Sequence, residues 1–81
     1  MKALIVDDER LARTELRRLL TPHKEIEIIG EAVNAADAVK KINELKPELL
    51  FLDIQMPGKN GFELLEDLDN VPTVIFTTAY D

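Results

Sequence analysis

Two short, unbroken apolar runs, Ala3-Leu4-Ile5-Val6 and Leu49-Leu50-Phe51-Leu52, constrain this chain most. Runs of this length without polar alternation read as strands buried on both faces, and such strands belong to parallel sheets covered by helices. The segments between them read accordingly. Leu11, Ala12, Leu16, Leu19 and Leu20 fall on one face at helical spacing, with Asp8 placed to cap that helix and Pro22 to stop it. Ile26-Glu27-Ile28-Ile29 partly alternates, as an edge strand does. Asn34, three residues before Asp37, opens a second helix with inner face Ala38, Val39, Ile42 and Leu45, closed by Pro47. Asn60 and Glu63 cap a third helix with Phe62, Leu65 and Leu68 inward. Asn60-Gly61 is also a hairpin-turn pair, but its flanks do not alternate. Pro72 starts a last strand, Thr73-Val74-Ile75-Phe76-Thr77. The order is βαβαβαβ, an α/β chain with a parallel sheet and helices on both faces.

Residues 1–81 are expected to form a single domain. A chain of this size buries only roughly 60–65% of its unfolded surface, and without cysteine it has neither disulfide nor thiolate metal site to reinforce it. Sixteen acidic residues against ten basic ones, a net charge of −6, argue against nucleic-acid binding by this segment. Arg10, Arg13, Arg17 and Arg18, spaced along the first helix beside Glu9 and Glu15, read as a solvated face. No apolar stretch reaches the ~18 residues of a membrane span, and a cytoplasmic location is expected.

In an open parallel sheet, function gathers beyond the carboxyl ends of the strands, where strand order reverses. Asp7 and Asp8 follow the first strand, Asp53 the third, Thr77 and Thr78 the fourth. With the first strand between the second and third, three carboxylates converge. Converging carboxylates need a cation, and an oxygen-only donor set selects a hard one, with Mg²⁺ the natural occupant because it shares its remaining positions with water and phosphate oxygens. Taken singly, Asp7-Asp8 reads as a helix cap and Asp53 as a loop acid; burial and capping do not require all three to be acidic. Thr77 and Thr78 are β-branched strand residues or phosphate-oxygen donors, and only one of them can face the site. His23, beside Pro22, reads as an exposed turn residue.

Leu4-Ile5-Val6-Asp7-Asp8-Glu9, Leu52-Asp53-Ile54-Gln55-Met56-Pro57 with Gly61, and Phe76-Thr77-Thr78-Ala79 together resemble, in order and spacing, the receiver domain of bacterial two-component response regulators. The resemblance spans the chain. It implies a flavodoxin-like fold with strand order 2-1-3-4, and Asp53 as phospho-acceptor. Asp8 would bind Mg²⁺ directly, Asp7 largely through water, and Gln55 through its backbone carbonyl. Thr78 would be the switch hydroxyl, Ala79 would lie beside it at the phosphate-binding position, and Met56, Pro57 and Gly61 would shape the loop after the acceptor. It further implies a sensor histidine kinase as phosphoryl donor and a signalling rather than enzymatic role. The ending Phe76-Thr77-Thr78-Ala79-Tyr80-Asp81 resembles regulators with a LytTR-type DNA-binding output domain.

The family pattern continues with a fourth helix, a fifth strand ending in a lysine, and a fifth helix, which these 81 residues lack. The chain is therefore expected to be the N-terminal portion of a receiver domain. One face of Leu49–Leu52 and Val74–Phe76 is expected to lie uncovered beside an open strand edge, favouring self-association. Two other readings use the same residues: a small Mg²⁺-dependent aspartyl-phosphate phosphohydrolase, which would want a further general acid where Gln55 stands, and a receiver-like interaction domain with a vestigial site.

Overall fold

The computed structural model describes residues 1–56 and 58–77. The elements are β1 (Lys2–Val6), α1 (Arg10–Leu20), β2 (Glu27–Ala32), α2 (Ala35–Leu45), β3 (Leu49–Leu52), α3 (Gly61–Glu66) and β4 (Thr73–Phe76). The strands form one parallel sheet in the order β2-β1-β3-β4. β1 thus lies between the second and third strands, as expected.

Strand period divides the core in two. Leu4, Val6, Leu50 and Leu52 point to one face and pack with Ala35, Ala38 and Ile42 of α2, Leu64 of α3 and Met56. Ala3, Ile5, Leu49 and Phe51 point to the other, against Leu16 and Leu20 of α1. Leu49 and Phe51 are therefore buried, and the expectation of an uncovered face on β3 is corrected. On β4, Ile75 and Phe76 are exposed, Phe76 packing at a tilt against the exposed Phe62 with ring centroids 5.0 Å apart.

Several local readings change. Leu11 and Leu19 of α1 face solvent, whereas Arg13 turns inward to a carboxylate on β2. Asp8 does not cap α1; Glu9 holds the N-cap position without a side-chain bond, and its N–H donates to Asp7 Oδ1 at 2.9 Å. Leu64, not Phe62, is the buried large apolar side chain of α3. β2 continues past Ile29 to Ala32, with the register slipping by one residue between Ala3↔Ile28 and Leu4↔Gly30. Gly30 is tolerated mid-strand because a Cβ there would crowd Leu45 Cδ1 at 3.2 Å and Leu4 Cδ1 at 3.3 Å.

Other readings stand. Asn34 accepts a bond from Asp37 N at 2.8 Å, and Lys46 ends α2 in the left-handed conformation before Pro47. Asn60 and Glu63 form a reciprocal capping box, so Asn60-Gly61 opens a helix rather than a hairpin.

Candidate functional site

Register builds the site. Val6 pairs with Leu52 and Leu52 with Phe76, so β1, β3 and β4 end in one row across the sheet. The next residue of each, Asp7, Asp53 and Thr77, therefore emerges side by side. Backbone bonds continue the ladder there: Asp53 N donates to Val6 O at 2.9 Å, Thr77 N to Leu52 O at 2.9 Å and Asp7 N to Ala32 O at 3.1 Å. Three strand ends with adjacent registers leave little freedom in where these side chains start.

Carboxylate oxygens of Asp7, Asp8 and Asp53 lie within 4.8 Å of one another. Asp7 and Asp53 are buried, at 8% and 7% exposure, while Asp8 is open to solvent. Burial raises the Asp53 carboxyl above its ordinary value, and the neighbouring charges of Asp8 and Glu9 add to this. Burial likewise raises Asp7, with Asp53 and Asp8 contributing. Each receives one backbone donor, Gln55 N to Asp53 Oδ1 at 3.1 Å and Glu9 N to Asp7 Oδ1 at 2.9 Å, which oppose the shift without cancelling it. Among the described residues no lysine, arginine or histidine side chain forms an ion pair with these three carboxylates. The donor set is all oxygen, crowded and short of positive charge, and it fits a hard divalent cation.

The loop after Asp53 is held from both sides. Met56 is buried in the core beneath it. Gly61 N donates to Ile54 O at 3.0 Å, and a Cβ on Gly61 would stand 2.9 Å from Asp53 O and 3.1 Å from Ile54 Cα. Only glycine permits that approach, so α3 begins directly against the Asp53 backbone. The Gln55 side chain is exposed, leaving its main chain as the part near the cluster. Pro57, Thr78 and Ala79 lie outside the described residues. His23 lies in an exposed turn beside Glu25, away from the site.

The raised carboxyls carry a pH prediction. A group protonated more easily folded than unfolded contributes stability below its unfolded pKa, and that contribution is lost as pH rises through the folded value. For Asp7 and Asp53 in the metal-free protein, stability is therefore lost as pH climbs from the ordinary carboxylate value of 3.8 through their raised values. Glu31 acts oppositely: burial pushes it up, but bonds from Arg17 and Arg13 hold it below the usual range. A difference measurement isolates the site. Asp53→Asn is expected to raise metal-free stability near neutrality and to lose that advantage in acid, as urea unfolding across pH reads directly. A gain that does not depend on pH would mean that Asp53 ionisation is not costly in the fold.

Comparison with known proteins follows the same lines. A family model described as response regulator receiver domain matches residues 3–81. An uncharacterized response regulatory protein of Vibrio cholerae is 55% identical over 83 residues, covering 100% of this chain and 35% of its own length. The sensory transduction protein LytT of Bacillus anthracis is 50% identical over 84 residues, again 100% of this chain and 34% of that protein. The response regulator domain of Thermotoga maritima CheB superposes with a TM-score of 0.85 at 34% identity, covering 96% of this chain and 60% of that one. The chain thus spans about a third of the length of these curated relatives.

Proposed function

This chain belongs to the response regulator receiver domain family, and from that premise we propose that it takes a phosphoryl group onto Asp53 with Mg²⁺ held among Asp7, Asp8 and Asp53. The observation that carries the reading is the convergence of three carboxylates, two of them buried, with no ion pair to a cationic side chain among the described residues. Asp8 and Asp53 would hold the ion directly, Asp7 largely through water, and the Gln55 main chain would supply a carbonyl. When bound, Mg²⁺ supplies positive charge against the oxygens of the transferring group.

The chain's own residues do the rest by position. An Asp53 carboxylate oxygen forms a bond to phosphorus while the bond from phosphorus to the donor's imidazole nitrogen breaks, the electron pair leaving with the imidazole. The Gln55 N–H fixes one Asp53 oxygen, which leaves the other to react. Thr78, just past the described residues, would donate its hydroxyl to the phosphoryl group, with Ala79 beside it, and pass the change onward. The donor is a sensor histidine kinase, the setting is cytoplasmic, and the responding element is an output domain, a DNA-binding one by the resemblance of Phe76-Thr77-Thr78-Ala79-Tyr80-Asp81 to LytTR-type regulators.

The test is labelling by a small phosphodonor with and without Mg²⁺, followed by mass spectrometry. The reading expects one phosphoryl group per chain, only with the metal, on the peptide containing Asp53. Equal labelling in chelator, or a label elsewhere, would overturn it.

For the polypeptide of these 81 residues, we further propose self-association along β4. Its outer edge has no strand partner among the described residues, and Ile75, Phe76 and Phe62 are exposed beside it. Sedimentation over micromolar to millimolar concentrations should show a concentration-dependent dimer; a monomer throughout would end this part of the proposal.

A further inference from the structure

Arg13 belongs to α1, yet its guanidinium reaches the end of β1. Its Nη1 donates to the main-chain oxygen of Asp7 at 2.9 Å, and its Nε donates to Glu31 Oε1 at 2.7 Å. The side chain is only 12% exposed, unlike the solvated arginines around it. Glu31 is itself fixed: Arg17 takes its second carboxylate oxygen, and the Lys41 ammonium donates to its backbone oxygen from α2. Lys41 is held in turn by Asp37 at 3.3 Å. The Glu31 carboxylate thus anchors a guanidinium aimed at a single peptide group.

That peptide group is the one joining Asp7 to Asp8. The carbonyl carbon and oxygen of Asp7, the nitrogen of Asp8 and both Cα atoms are nearly coplanar. A hydrogen bond to the Asp7 oxygen therefore orients the plane from which two of the three clustered carboxylates project. β1 and β2 end at Val6 and Ala32, so the carbonyl lies just past the strand ladder. The Asp7 N–H is already held by Ala32 O, and Arg13 holds the opposite end of the residue. Two restraints from two different elements fix Asp7 between them.

We propose that Arg13, buttressed by Glu31, is a positioning residue that presets the Asp7–Asp8 peptide so that both carboxylates face Asp53 before the cation arrives. The inference rests on the proposed Mg²⁺ site. It makes a prediction opposite in sign to that of simple charge. Arg13 is a cation beside a cation site, so removing its charge should by itself strengthen Mg²⁺ binding. If Arg13 works by positioning, removing it should weaken binding, because groups that orient metal ligands typically cost 10–100-fold in affinity when lost. Lysine keeps the charge but lacks the planar fork that joins the two acceptors, so it should not restore the wild-type value.

The experiment is a titration with Mg²⁺ alone, followed by amide chemical shifts, on the wild-type chain, Arg13→Gln, Arg13→Lys and Glu31→Ala. Hydrogen exchange of the Asp7 and Asp8 amides is measured on the same metal-free samples. The expected result is an Mg²⁺ Kd raised about 10-fold or more in Arg13→Gln, little recovery in Arg13→Lys, and faster exchange at Asp7 and Asp8. Glu31→Ala should move in the same direction, and it carries the test if Arg13→Gln does not fold. An unchanged or tighter Kd in folded variants would overturn the positioning role, even if they were less stable. Failure of the wild-type chain to bind Mg²⁺ would instead remove the metal site on which the inference rests.

Discussion

Exchanging Asp53 for asparagine is expected to abolish phosphoryl labelling in the presence of Mg²⁺. The carboxamide is nearly isosteric, so the fold survives, and removal of one of three crowded charges should even favour it without metal. What is lost is the anionic oxygen that must bond to phosphorus. Asp53→Glu is the sharper variant. It keeps the acid but moves it by one methylene from a position fixed by the ladder bond to Val6 and the Gln55 N–H. A displacement of this order costs about 10²-fold in a reaction governed by placement. Initial labelling rates on all three chains, with folding checked by circular dichroism, measure both effects. Asparagine labelling at the wild-type rate would place the acceptor elsewhere.

The largest expected loss of stability lies at Leu64. Its side chain is fully buried in the core cluster that also holds Leu4, Val6, Leu50 and Leu52. Leu64→Ala should cost about 2–5 kcal/mol through lost transfer energy and the cavity left behind. A domain of this size is stable by only about 0.05–0.15 kcal/mol per residue, so much of the margin would go. Phe62 is the contrast. It is exposed and keeps one aromatic partner, Phe76, so Phe62→Ala should cost no more than about 0.5–1.5 kcal/mol. Urea midpoints of the two variants decide the matter, and equal losses would contradict the packing described.

The burial of Leu64 is not legible in the sequence, which points Phe62, Leu65 and Leu68 inward. The two interior strands are legible because Ala3–Val6 and Leu49–Leu52 have no polar side, and a strand without a polar side must be interior, whereas the order 2-1-3-4 comes from the resemblance to receiver domains. The acid cluster is legible for the same reason, since the Asp7-Asp8 pair and Asp53 follow such strands. α3 is six residues long, fewer than two turns, and Phe62, Leu64, Leu65 and Leu68 offer more than one apolar face. Its orientation is set by the close approach of Gly61 to the Asp53 backbone, a tertiary contact without local signature. The inner face of α1 failed similarly. Leu11 and Leu19 looked like core, yet Arg13 turns inward because its partner Glu31 lies eighteen residues ahead on another element. Asp8 does not cap α1 because the helix starts one residue later, with Glu9 at the N-cap position and its N–H donating to Asp7 Oδ1. β2 extends past Ile29 through Gly30, where Leu4 and Leu45 crowd the space a Cβ would take.

Binding of Mg²⁺ by the three-carboxylate cluster is the point on which the proposed chemistry depends. Titration of Mg²⁺ into the metal-free chain, followed by amide chemical shifts, tests it most directly. The account predicts saturable shifts concentrated at Asp7, Asp8, Asp53 and Gln55, weakened about 10-fold or more in Asp8→Asn, which removes a charged oxygen ligand. Shifts centred on another acidic group, or the same affinity in Asp8→Asn as in the wild-type chain, would contradict it.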